Sequence, residues 1–384
     1  MNCIGQCIEL SPITTKTVNI LSDFYKTFLH SSKQTNLVKY TTQTNSNKIK
    51  GYDSLPFPPK LKIDAIPPSI KQSMHRELRS SLIFNAEVNF LPVQVTFVIR
   101  QKRVTHQIVA HYTECFSNII LWLHIILNYA VKRRTKRVNI YIYMMDIPKI
   151  LPINRKTIIG SEHVNTAYTG PNVIDGEIVI YRSEEWFKVF IHETMHTFGV
   201  DFSDSDDTLC TIEMLKLFTV RSDVNLSEAY TEFWGRVMNI LFFTFKKHPI
   251  SMSLFIRDAH RYIEYQAVFS ALQMNNILNF MGLTYIHLVG SKNLQPEYRE
   301  NTSVLSYYII CGILMANYQE MLVWCKTNNK NNILQFTKTQ ENKLKFCNFI
   351  KKQSASPDIR KILANMDIGT SANDNTTLRM SLVL

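Results

Sequence analysis

Residues 191–199 read IHETMHTFG, and this stretch decides the fold. His192 and His196 are four apart. On a helix that spacing projects both imidazoles from one face. Two ring nitrogens can then share one Zn²⁺ at about 2.0–2.1 Å. Glu193, next to the first histidine, is placed to act as general base on an attacking water. The flanks predict the helix itself. Ser183 reads as its N-cap with Glu184 and Glu185 in the first turn, and Gly199 as its C-cap. The competing reading is a histidine pair on a helix that binds nothing; the strand before the motif and the Gly after it favour the metal.

Upstream of the motif, strand-like and helical patterns alternate. Residues 89–100 alternate apolar and polar side chains as a strand does, residues 106–132 have helical spacing, and 138–144 is again strand-like. Asp175-Gly176 reads as a turn before a short strand at 177–181. Downstream, the acidic stretch 201–207 reads as a loop. Helical patterns follow at 209–220, 225–246, 256–278, 304–326 and 341–352. Residues 1–80 look separate: a helix at 17–30, a polar stretch, and a Pro-rich extended connector, LPFPPKLKIDAIPP. The expected division is therefore an N-terminal extension (1–80), a lobe carrying the motif helix (81–200), a helical lobe (201–368) and a flexible tail (369–384).

A hydrolytic zinc needs a third protein ligand and an open fourth position. Position 202 is Phe, which breaks the metzincin pattern, where a third His would stand. Residues 225–235 read NLSEAYTEFWG, with Glu228 and Glu232 at i and i+4 on one helical face. One carboxylate can bind zinc while the other accepts a hydrogen bond from the free nitrogen of a ligating His. Two plainer readings stand beside this. Asn225 and Glu228 also make an ordinary capping box, and Glu232 also reads as a solvated helix charge. Asp207 is the other candidate third ligand, with Asp201, Asp204 and Asp206 behind it in the same loop.

HETMH followed by SEAYTEF resembles the gluzincin metallopeptidases, the group that includes thermolysin and the large aminopeptidases. The resemblance covers about residues 90–240 and is specific at the two motifs. It implies an α+β, zincin-like fold: a small mixed β-sheet and active-site helix against a mainly helical C-terminal lobe. It implies one Zn²⁺ on His192, His196 and Glu228, with Glu193 as general base and Glu232 supporting a ligand. The strand at 177–181 would be the sheet edge that pairs with a peptide or protein substrate by β-augmentation. The oxyanion donor is open among Tyr230, His260, Tyr262 and Tyr265. The Gly-x-Met-x-Asn motif of aminopeptidases is absent, so no subfamily is assigned.

Composition agrees with a globular chain. The 384 residues suffice for two or three domains, and 45% hydrophobic content excludes a disordered chain. The net charge of +12 permits a polyanionic partner. However, the basic run at 132–137, KRRTKR, reads first as solvated cations at a helix C-terminus, without the aromatic interleaving of a nucleic-acid module. Nucleic acid is therefore not the expected partner. Seven cysteines, odd in number and scattered, predict free thiols in a reducing, intracellular compartment. The N-terminus lacks a basic and then apolar signal pattern. The most apolar run, 119–126, is far shorter than the roughly 20 residues of a membrane span. Abundant Asn, Ile and Lys with few Gly suggest an AT-rich genome, such as that of a large DNA virus.

Overall fold

The computed structural model describes residues 11–289, 298–330, 332–367 and 376–383. In chain order its elements are α1 (Thr15–Thr35), β1 (Tyr40–Asn45), α2 (Pro68–Glu77), β2 (Ser80–Val88), β3 (Leu91–Ile99), α3 (His106–Tyr129), β4 (Arg137–Tyr143), β5 (Ile159–Gly160), α4 (Ser161–Val164), β6 (Ala167–Thr169), β7 (Asp175–Ile180), α5 (Trp186–Thr197), α6 (Thr208–Leu215), α7 (Leu226–Lys247), α8 (Met252–Phe280), α9 (Tyr285–Val289), β8 (Glu300–Asn301), α10 (Cys311–Ala316), α11 (Tyr318–Asn328), α12 (Gln340–Gln353) and α13 (Pro357–Asp367). The class is α+β. The chain forms two compact units: residues 26–148 with 165–200, and the described residues of 1–25, 149–164 and 201–384. Residues 26–80 thus belong to the sheet-bearing unit, where the sequence reading has a separate extension ending at 80.

The sheet unit holds a six-stranded mixed sheet in the order β1-β2-β3-β4-β7-β6. β2 and β3 form a hairpin with Val88 opposite Leu91. Its two turn residues, Asn89 and Phe90, both have positive φ (47° and 62°), the geometry that matches strand twist in a two-residue loop. The sequence reading finds β3 but not β2. α3 carries the chain from β3 across to β4, which lies parallel to it, and β7 continues the parallel set. β6 then pairs antiparallel with β7.

β7 is therefore interior, and the expectation of an edge strand at 177–181 is corrected: the edge on that side is β6. The physical reason is visible in the chain. Ile178, Val179 and Ile180 are all buried, so both faces of β7 are covered, as in an inner parallel strand.

One face of the sheet packs on α3 and α5. Phe84 stacks on Phe116 at 4.8 Å, and Phe97 lies against Tyr112 and Trp186. The other face, with Val98, Tyr141, Tyr143, Val179 and Tyr181, is covered by Leu55, Ile66, Ile70 and Met74 of the connector and α2. Pro68 opens α2, where its missing N–H costs nothing. The Pro-rich connector is pinned as well. Glu177 accepts the backbone N–H of Lys60 (3.0 Å) and of Leu61 (2.8 Å).

The second unit is helical. Its core includes an aromatic cluster of Phe202, Tyr230, Trp324, Phe336 and Phe346. Trp234 of α7 packs edge-on to Phe24 of α1. The helix expected at 304–326 is broken into a π-helical segment (Leu305–Ile310), α10 and α11, with Asn317 at the break donating back to the Ile313 carbonyl. The expectation of a flexible tail is corrected over its described part, 376–383. Leu378, Met380 and Val383 are buried. The Leu378 carbonyl accepts from Tyr308, the Met380 carbonyl from Gln266 and the Val383 carbonyl from Asn239. Polar composition hid these three apolar anchors. No helix among the described residues is long and apolar enough to cross a membrane. Cys115, Cys210, Cys311, Cys325 and Cys347 are buried thiols outside any disulfide; Cys3 and Cys7 lie outside the described residues.

Candidate metal centre

The motif helix α5 belongs to the sheet unit. Its start differs from the sequence reading. Ser183 is not the cap: its hydroxyl donates to the Met145 carbonyl at 3.0 Å. Glu185 occupies the cap position in the left-handed region, φ 59°. Its end is as expected. Gly199, with φ +61°, donates to the His196 carbonyl, and Val200 to the Met195 carbonyl, which is a Schellman closure.

Thr194 locks the middle of the helix. Its hydroxyl accepts from Trp122 Nε1 at 2.6 Å while lying 2.9 Å from the Phe190 carbonyl. Thr197 donates to the Glu193 carbonyl, and its hydroxyl lies 2.9 Å from that of Thr169 on β6. Thr135 and Asn172 close the C-terminal end through the Thr197 and His196 carbonyls.

On this frame the two histidines converge. His192 Nε2 and His196 Nε2 are 3.1 Å apart, with the rings inclined at 72° and both buried. Two nitrogens about 2.0–2.1 Å from a tetrahedral ion would be roughly 3.3 Å apart. The pair thus has the spacing of two ligands of one cation; without one, the same spacing needs one neutral ring to donate to the other. Glu193, on the same helix, is also buried at 7% exposure. The Tyr181 hydroxyl stays protonated. Burial pushes its pKa far up, the Arg182 charge opposes this, and the Glu193 carboxylate adds to it. Tyr181 and Thr194 escaped the sequence reading. Nothing in a linear pattern marks a strand-end tyrosine or a mid-helix threonine as partners of the motif.

The second carboxylate motif is on α7, in the helical unit. Asn225 caps it, its side chain accepting from the Glu228 backbone N–H at 3.4 Å. Glu228 is half-buried in the first turn. Glu232 is no solvated charge: it is 1% exposed, and its Oε1 accepts from Arg236 Nε at 2.9 Å. Arg236 also donates to Ser270 Oγ and to the Tyr307 carbonyl.

Asp201 accepts from Ser203 N–H, Asp206 from Thr208, and Asp204 pairs with Lys338. Asp207 takes the N-cap position of α6 without a side-chain cap bond, and burial raises its pKa.

Of the four oxyanion candidates, Tyr230 is fully buried, donates to the Leu334 carbonyl and accepts from Asn329, so its hydroxyl is spent in the core. His260 is paired with Tyr318, and burial lowers its pKa. Tyr262 lies under Lys247 and Arg261 and packs on Tyr265.

No family model and no solved structure matches this chain. Over 165 residues it is 27% identical to a protein named "Uncharacterized protein R210" from Acanthamoeba polyphaga mimivirus. The match spans 42% of this chain and 42% of that protein, less than half the length of each.

Proposed function

We propose that this chain is a zinc-dependent peptidase of zincin-like fold, with one Zn²⁺ held by His192, His196 and Glu228, the candidate ligand group among the described residues. The observation that carries the reading is the buried histidine pair, its Nε2 atoms 3.1 Å apart on a helix that also bears Glu193. Two imidazoles and one carboxylate are a donor set that suits zinc and leaves a fourth position open.

When bound, zinc supplies Lewis acidity that polarises a peptide carbonyl and makes a water nucleophilic near neutral pH. The rest is done by side chains. Glu193 takes the proton of the attacking water and returns it to the leaving nitrogen of the peptide. Its burial keeps bulk water from competing for that proton. The Schellman closure at Gly199 and the Thr194–Trp122 bond hold the histidines and Glu193 in one rotational setting, the positioning that catalysis by a preorganised site demands. The edge strand β6 offers backbone groups for an extended peptide. Peptide hydrolysis that a chelator abolishes and added Zn²⁺ restores is the test; zinc-loaded protein that cleaves no peptide in a mixed library would refute the enzyme reading.

A further inference from the structure

The basic run at residues 132–137 has no part in the metal reading. In the sheet unit it forms the turn after α3 and the start of β4. Asn172 ties it to the motif helix. Its side-chain oxygen accepts from Arg134 N–H at 2.9 Å, and its own N–H donates to the His196 carbonyl at 2.9 Å.

A cavity of about 570 Å³ opens beside this turn, lined by Lys60, Arg134, Val173, Ile174, Asp175 and Glu177 among others. Its two carboxylates are engaged. Asp175 pairs with Lys60 and with Arg137 (2.8 Å), and Glu177 holds the backbone of Lys60 and Leu61. Along the adjoining basic run, of which Arg134 lines the cavity, cations are in excess. Lys132, Arg133, Arg134 and Lys136 make no ion pair among the described residues. Arg133 Nε is shielded from solvent with no acceptor among them. Ile174, 50% exposed, and Val173, 38% exposed, add an apolar wall.

Clustered cations beside a low-dielectric wall concentrate anions. A nucleic acid would need a continuous cationic track and a platform for base stacking. No aromatic side chain lines this cavity, and two carboxylates interrupt its wall. We propose that the pocket binds an acidic segment of a polypeptide substrate, with carboxylates against Arg134 and its neighbours and an aliphatic side chain against Val173 and Ile174. The word substrate rests on the peptidase reading; the binding site does not.

The test is fluorescence anisotropy on the full chain carrying Glu193→Gln, so that no probe is cut. The probes are a labelled peptide of alternating Glu and Leu, its Lys and Leu counterpart, and single-stranded DNA of equal length. The acidic peptide should bind at least about tenfold more tightly than the basic one, an advantage that shrinks as salt rises. The Lys132→Glu/Arg134→Glu double variant should lose about tenfold of that affinity, and Arg134→Ala a part of it, should the double variant fail to fold. Equal binding of the two peptides, tighter binding of DNA, or indifference to Arg134→Ala would overturn the proposal. Acidic-peptide binding by a chain that hydrolyses nothing would keep the pocket and sink the peptidase; hydrolysis with no acidic preference would do the reverse.

Discussion

His192 and His196 present their Nε2 atoms to each other at 3.1 Å across one turn of α5, inside a helix whose middle and C-terminal end are fixed by hydrogen bonds to other parts of the sheet unit. Two buried imidazoles held this closely share either a proton or a cation.

Glu193→Gln keeps the size of the side chain and removes its basicity. The variant is expected to bind zinc as the wild type does and to lose about 10²–10⁴-fold in kcat. Steady-state hydrolysis with parallel metal analysis checks this. Full activity in the variant would remove Glu193 from the chemistry.

Gly199→Ala strains the end of the motif helix. The residue sits at φ +61°, and a Cβ there would lie 2.6 Å from Asn172 Cγ. The expected cost is about 1–3 kcal/mol, read as a drop in Tm. Because Asn172 also bonds the His196 carbonyl, zinc affinity should fall with stability. A variant as stable as the wild type would show that the left-handed closure does not matter.

Burial raises the Glu300 carboxyl from 4.5 to about 7 despite hydrogen bonds from Leu305 N–H and Tyr298. The folded chain therefore keeps a proton that the unfolded chain releases near pH 4.5. Stability contributed by this group falls as pH rises from about 4.5 and levels off above about 7. Burial raises Glu264 to about 7 too, so it acts in the same direction. Glu300→Gln should gain on the wild type across that window, with a constant gap at higher pH. Urea midpoints from pH 4.5 to 8 measure it, and a gap that ignores pH would contradict the assignment.

The sequence revealed the motif helix, its C-cap and the capped start of α7 because each rests on residues within one or two turns. Gly199 must adopt positive φ, and Asn225 needs only the N–H three residues on. What stayed hidden depends on distant partners. The resemblance makes 177–181 the edge strand; the edge itself, the short β6 before the 170–174 loop, carries too few residues to show a period. The connector reads as a linker from its prolines, yet Glu177 fixes it through two backbone N–H groups more than a hundred residues away. Glu232 reads as support for a zinc ligand, and its buried pairing with Arg236, on the same helix face, has no mark in the sequence. Residues 376–383 look like a tail because they follow the Ser-, Asn- and Thr-rich stretch from 371, while their anchors, Leu378, Met380 and Val383, find distant partners.

Elemental analysis of the purified full chain asks whether three side chains hold one zinc ion. The expected result is one zinc per chain, lost in His192→Ala and His196→Ala and at least about tenfold weaker in Glu228→Ala. Wild-type protein that stays metal-free with zinc in excess, or a Glu228→Ala variant that binds zinc unchanged, would contradict it.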